Sequence, residues 1–243
     1  MESDLMINRE LSWLSFNERV LQEAADQSVP ILERLKFLGI FSSNLDEFYR
    51  VRVANVQREI DFVVEEKLKI SKYGYDPREL LDQMQEKIMF QRKIFTKVYE
   101  EIKAELAKDN IYIITEKEVS ESQASVVKEY FRAEVLRKLV PLMITGNDEE
   151  FPLLKDNLIY LGVKLSRKTK KDTKYALIEI PTKITNRFFV LPKEGSQTYI
   201  MLLDDVIRFN LSEIFTVFKY DFYEAFIFKI TRDAELDFDS DFS

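Results

Sequence analysis

Apolar residues recur every three or four positions through the first hundred residues, and that spacing predicts helices. Leu11, Trp13, Leu14, Phe16, Val20, Leu21 and Ala24 share one helical arc. Ser28 and Pro30 then announce a new start, because proline suits a first helical turn. Ile31, Leu32, Leu35 and Leu38 continue a short second helix, with Gly39 placed near its end. A third start is read at SSNLDEF, where Asn44 and Glu47 have the spacing of a capping box and Ser43 with Asp46 offers a rival register. Leu45, Phe48, Arg52, Val56, Ile60 and Val63 then share a face that runs to about Lys69. KYGYDP reads as a turn, with Asp76 capping, Pro77 first in the helix and Glu79 completing a box-like start. Beyond it Met84, Ile88, Gln91, Phe95, Val98 and Ile102 alternate in spacings of four and three, a coiled-coil-like seam. Long helices joined by a short turn pack antiparallel. Residues 1–107 are thus predicted to form a helical N-terminal domain with a long antiparallel hairpin.

The pattern changes after Asn110. IYIIT, NLIYLGVKLS, KYALIEI, YIMLLDD and AFIFKIT read as strands. SESQASVVKEYFRAEVLRKL reads as a helix ending before Pro141, and a short helix spans about Val206 to Ile214. The fold class is therefore α+β, with a mixed domain over residues 108–243. The acidic end, ELDFDSDFS, reads as a cut inside that domain, so the domain is expected to be truncated.

Composition narrows the chemistry. The 243 residues contain neither Cys nor His. A disulfide scaffold, a thiolate or imidazole metal site, a Ser-His-Asp triad and a phosphohistidine are all excluded within this sequence. Five scattered glycines leave no GxxxxGK[ST] and no GxGxxG loop. The net charge of −7 is spread over both halves, which argues against broad nucleic-acid binding. MESDLMINRE lacks the pattern of a secretory signal, and no stretch approaches the roughly 20 apolar residues that span a bilayer. A cytoplasmic location is expected.

A few polar positions invite two readings each. Asn17 lies inside the apolar arc of the first helix and Arg52 on the apolar face of the third. A polar group that faces a core needs partners. Both residues belong either to an interhelical hydrogen-bonded network or to a site that another domain completes. Asp46 and Glu47 sit about 100° apart around a helix and do not converge on one atom; a first-turn role toward the helix dipole accounts for them. Asn44 either caps the third helix or contacts a nucleotide, since an amide can donate to and accept from the edge of adenine. The basic run Arg167, Lys168, Lys170, Lys171 and Lys174 is either a solvated hairpin tip or a polyanion contact.

The stretch from Asn8 to Ala54, with ELSWLSFNERVL and SNLDEFYRVR as its most idiosyncratic parts, resembles the opening of the family-1 polyphosphate kinases. YALIEIP, the MLLDD run and KITRDAELD agree later in the same order, so the resemblance covers essentially the whole chain. It implies an N-terminal domain and part of a head domain used for dimerisation. It also implies transfer of the terminal phosphate of ATP to inorganic polyphosphate in the full-length enzyme. ATP and Mg²⁺ are the implied cofactors. The phosphoacceptor His, the Mg²⁺ ligands and most ATP contacts belong to catalytic domains outside this sequence. Within it, the resemblance makes Asn44 the ATP-binding residue and leaves no catalytic or metal residue. A homo-oligomer formed through the head domain is implied, and this piece alone is expected to be inactive. The rival reading is a standalone helical interaction module that binds no nucleotide.

Overall fold

The computed structural model describes residues 7–65, 75–144, 152–168, 173–218 and 220–233. Backbone contacts divide the chain into two compact units. One holds the residues up to Leu106 together with the stretch from Thr231; the other runs from Ala107 to Ile230.

The first unit is helical. Helix α1 spans Arg9–Ala25, and its N-cap Asn8 accepts from the Glu10 backbone N–H. Leu14, Asn17, Leu21 and Ala24 line its buried face, whereas Phe16 is 58% exposed. Helix α2 spans Ile31–Phe48 without interruption. The ladder widens to a π-helical turn at Tyr49–Val53, and α3 follows over Ala54–Glu65. Helix α4, Pro77–Lys108, has the expected start: the Asp76 carboxylate accepts from the Arg78 N–H at 2.9 Å. Met84, Ile88, Gln91, Val98 and Ile102 of the predicted seam are buried. Val56 of α3 shares a core cluster with Leu80, Met84 and Ile88 of α4, the apolar contact of the antiparallel hairpin.

The uninterrupted α2 corrects the reading of residues 39–47. No helix ends at Gly39 and none starts at Asn44. Gly39 faces solvent, and an interior glycine costs a helix only about 1 kcal/mol relative to alanine. The apolar stripe runs straight through the supposed break: Leu38, Phe41 and Phe48 are all at most 3% exposed. Each such burial contributes about 1.5–3 kcal/mol, which outweighs the poor local propensity. Leu32, placed on the inner face by its spacing, is 61% exposed, and Arg34 takes the buried position instead.

In the second unit, Asn110 adopts a left-handed conformation (φ 60°) that ends α4 and turns the chain into strand β1, Ile111–Ile114. Ser120 and Gln123 close a capping box at the start of α5, Glu121–Tyr130. That helix continues through a π-helical turn at Phe131–Val135 and a 3-10 turn at Leu136–Lys138. Strands β2 (Pro141–Ile144), β3 (Ile159–Ser166), β4 (Thr173–Glu179) and β7 (Phe222–Lys229) form one antiparallel sheet in the order β2-β4-β3-β7. Strand β6 (Thr198–Leu202) pairs in parallel with β1 and antiparallel with β5 (Phe188–Val190) in a second sheet. Short helices α6, Leu203–Phe209, and α7, Leu211–Ile214, occupy the predicted helical stretch before β7. Phe131, Val135, Leu161, Leu165, Ile178, Met201 and Val206 belong to the core shared by α5, both sheets and α6. β2 and β5 are additions to the predicted strands. The expected helix end near Lys69, the first half of the KYGYDP turn, the tip of the basic hairpin and the acidic end lie outside the described residues.

Candidate functional site

Asn17 and Asn44 meet where α1 packs on α2. Asn17 is fully buried, and its Nδ2 donates to the Phe41 carbonyl at 3.2 Å. Its Oδ1 accepts from Nδ2 of the half-buried Asn44 at 3.0 Å. Asn17 therefore takes the interhelical network that was one of its two readings. Asn44 takes neither cap nor helix terminus: it lies four residues inside the C-terminal end of α2, and that end runs on into the π turn. The free N–H groups of a helix start are not available beside it. Asp46 and Glu47 likewise lie in the last turn of α2 rather than a first turn, so the dipole does not account for them.

One turn further on, Arg52 lies in the π-helical segment. Its Nη1 sits 3.5 Å from both carboxylate oxygens of Glu10, and Arg9 bonds the Oε1 of that carboxylate through Nε at 3.1 Å and Nη2 at 2.8 Å. Glu10 is buried although it opens α1. Phe48 stacks on Trp13 at 4.7 Å between ring centroids and anchors the same helix crossing. The π turn, the Glu10–Arg52 pair and the Trp13–Phe48 stack thus fix the C-terminal end of α2 against α1, and they hold the Asn17–Asn44 pair in register. π turns are frequent at functional sites.

Two other buried polar residues of this unit were not singled out as partnered by the sequence. Arg34 is 1% exposed; its Nε donates to the Ala24 carbonyl at 2.8 Å and its Nη1 to Glu105 at 2.7 Å. Gln91 is fully buried and donates to the Leu14 carbonyl at 2.9 Å. The signal for Arg34 was present: it stands four residues before Leu38 and seven before Phe41, on the apolar stripe.

The second unit gathers charge at α6. Arg187 bonds Asp204, and Arg208 reaches Asp205 at 2.6 Å and Asp204 at 3.6 Å. Both aspartates are buried. Burial first, then the Asp204 charge, pushes the Asp205 carboxyl up to about 7, and Glu116 adds in the same direction. Arg167 and Lys168 at the root of the basic hairpin lie over the rings of Tyr220 and Phe222, which favours a packed hairpin base over a free cationic patch. A groove of about 490 Å³ lies beside Leu154, Leu158, Tyr160 and Leu177, and Lys138, Lys183 and the Lys155–Glu179 pair also line it. Among the described residues, no group of three or more acidic side chains is placed to hold a metal ion, and no helix is long and apolar enough to cross a membrane.

Residues 6–114 match the model of the polyphosphate kinase N-terminal domain, and residues 122–243 match that of the polyphosphate kinase middle domain. The chain belongs to the polyphosphate kinase family. A polyphosphate kinase of Vibrio vulnificus (strain YJ016) is 44% identical over 235 residues, which cover 95% of this chain and 32% of that protein. One from Escherichia coli (strain K12) is 40% identical over 240 residues, 97% of this chain and 34% of that protein. The crystal structure of polyphosphate kinase from Porphyromonas gingivalis superposes with a TM-score of 0.82 at 31% identity, over 94% of this chain and 33% of that one. The chain therefore spans about a third of the length of the polyphosphate kinases it matches. The α+β class, with an all-helical first unit, agrees with that superposition.

Proposed function

We propose that this chain forms one wall of the nucleotide pocket of an enzyme that moves the terminal phosphate of ATP onto inorganic polyphosphate, and that Asn44 is its contact with ATP. The observation that carries the reading is the pinned amide of Asn44. Asn17 holds its nitrogen, while its oxygen bonds to no group among the described residues. A rigid side chain with an unused acceptor is already ordered for a ligand, so binding costs little further entropy. The match to polyphosphate kinases along nearly the whole chain favours this over a free-standing helical interaction module.

Phosphoryl transfer depends on positioning and electrostatics, so a wall that does not react still contributes. Under this proposal the phosphoacceptor His lies in another part of the enzyme, since this sequence has no His, and the Mg²⁺ ligands are expected there too. In this reading the chain alone neither extends polyphosphate nor becomes labelled by ATP, and it binds ATP weakly. The second unit supplies surface for a homo-oligomer, and the enzyme works in the cytoplasm.

The test is Asn44→Ala in the full-length enzyme. The base does not change during transfer, so losing a contact to it raises KM for ATP and leaves kcat largely alone. A fall of roughly 5–30-fold in kcat/KM is expected. Asn44 caps nothing and alanine improves helix propensity by about 0.5 kcal/mol, but the buried Asn17 oxygen loses its donor at a cost of about 1–3 kcal/mol, so the melting temperature should fall by a few degrees while the folded enzyme keeps its kcat. An unchanged KM for ATP would remove Asn44 from the site.

A further inference from the structure

We infer that Asn17 is a positioning residue: it sets the orientation of the Asn44 amide, and through it the site's preference for a 6-aminopurine nucleotide over a 6-oxopurine one. The inference rests on the proposal that Asn44 meets the base. A peptide carbonyl only accepts, so the side of the Asn17 amide that faces the Phe41 carbonyl at 3.2 Å must be its NH₂. The Asn17 oxygen is then the atom left for Asn44, and it also only accepts. Asn44 must therefore offer its own NH₂ across the 3.0 Å contact. Turning the Asn44 amide over would set two oxygens against each other, and Asn17 cannot turn to relieve them without facing Phe41 with an oxygen. Asn17 is fully buried, so no solvent can serve as a substitute partner.

The relay fixes what Asn44 presents away from the helix interface. One hydrogen of its NH₂ is taken by Asn17. The other hydrogen and the Oδ1 remain, and Oδ1 is not among the buried atoms left without a partner, so it is open to solvent. An acceptor beside a donor is the complement of the adenine edge, with its 6-amino donor and N7 acceptor. A purine with a 6-oxo group offers two acceptors there and leaves Asn44 Oδ1 facing an oxygen. Nothing else in the pair needs to move for this discrimination; it is set before the nucleotide arrives.

The full-length enzyme is assayed with ATP and with inosine triphosphate, which differs at the 6-position. Thermal melts are recorded for each variant. Wild type should prefer ATP in kcat/KM. Asn17→Leu keeps a similar volume and removes both bonds, and it should lower the ATP-to-ITP preference roughly ten-fold, through KM with little change in kcat. Asn44→Ala should lower it to the same level, and the double variant should fall no further, because Asn17 acts only through Asn44. Asn17→Ala, which can make neither bond, should show the same loss and takes the place of Asn17→Leu should the latter fail to fold. A folded Asn17 variant that keeps the ATP-to-ITP ratio while Asn44→Ala loses it would overturn the positioning role and leave the Asn44 contact standing. Additive losses in the double variant would overturn it as well. If Asn44→Ala itself keeps both the ratio and the KM for ATP, the nucleotide contact fails first and the role of Asn17 goes with it.

Discussion

The helical unit and the sheet unit bury polar side chains on different terms. In the first, buried Glu10 pairs with Arg9 and Arg52, but three other buried polar side chains reach main-chain carbonyls of a neighbouring helix: Asn17 to Phe41, Arg34 to Ala24, Gln91 to Leu14. These bonds join α1, α2 and α4, and two of the three donors carry no titratable group. In the second, Asn210 bonds the Val206 carbonyl of its own helix, and the buried Asp204 and Asp205 pair as ions with the partly buried Arg187 and Arg208. With Glu116 beside them the carboxylates outnumber the cations, and Asp205 is the group driven toward holding a proton. Helices that cross in a bundle expose few free main-chain groups to one another, so a side chain that bonds one fixes both position and register. An ion cluster fixes position too, but its strength follows pH. The difference says which unit should depend more strongly on pH near neutrality and where the register of the helical unit is stored.

The largest effect should come from Arg34. It sits beyond the C-terminal end of α1, and its guanidinium meets the Ala24 carbonyl in the last turn, where α1 has no basic residue of its own. Its stem fills a buried volume, and its second partner Glu105 is partly solvated. Arg34→Ala should cost about 3 kcal/mol in chemical denaturation, from cavity and lost bonds together. Arg34→Met, which keeps the packing of the stem, should recover about half of that. A loss below about 1 kcal/mol would mean that the main-chain bond fixes nothing, and the contrast between the units would collapse.

What the sequence made legible follows the same division. The seam of α4, the Asp76–Pro77 start, the capping box at Ser120 and the main strands were readable because periodicity and local capping chemistry agreed. The run from Gly39 to Asn44 was misread because small and polar residues imitate a helix break, while Leu38, Phe41 and Phe48 carried the buried stripe across it. The cap assigned to Asn44 disappeared for that reason. Asn17 stands out in the sequence as a polar group in an apolar arc, but its partners, Phe41 and Asn44, lie 24 and 27 residues away. No local pattern supplies those. Strand β2 opens on Pro141 and sits at a sheet edge, where a missing N–H is tolerated. β5 has only three residues, too few for alternation to be seen. The ion cluster at α6 was invisible as chemistry because LLDD reads as the end of a strand, and Arg187 comes from a distant loop.

The next effect concerns the sheet unit alone. Asp205 has a folded-state value of about 7 against an ordinary value of 3.8, so between those values the folded protein holds a proton that the unfolded chain releases. Its contribution to stability is therefore fully present below about pH 4 and is lost as pH rises through about 7. Asp205→Asn removes that proton exchange and keeps the shape. Melting temperatures of the two proteins should differ least near pH 5 and separate toward pH 8, with the Asn variant gaining relative to wild type. Parallel curves across that range would show that the cluster does not titrate on unfolding, and the two units would then be equally indifferent to pH.

The smallest effect sharpens the comparison inside the helical unit. Gln91 and Arg34 both bond a carbonyl of α1, but they differ in which carbonyl. Ala24 lies in the last turn of α1, where intrahelical acceptors lack partners. Leu14 is mid-helix, and its carbonyl already lies within the α1 ladder, so the bond from Gln91 adds a second donor rather than a first. Gln91 also carries a cost, because its Oε1 is buried with no hydrogen-bond partner. Gln91→Met preserves the volume, forfeits the Leu14 bond worth about 1 kcal/mol and a long 3.4 Å bond to the partly solvated Glu18, and removes an orphaned acceptor that costs about as much. The two nearly cancel, and denaturation should report a change within about 0.5 kcal/mol. A loss above about 2 kcal/mol would show that a second donor to a satisfied carbonyl holds register as firmly as a first donor to a free one. The distinction between Arg34 as a cap for α1 and Gln91 as a replaceable filler would then fall. A near-neutral result would leave Arg34 and the Asn17–Asn44 pair as the polar contacts that position α1 and α2.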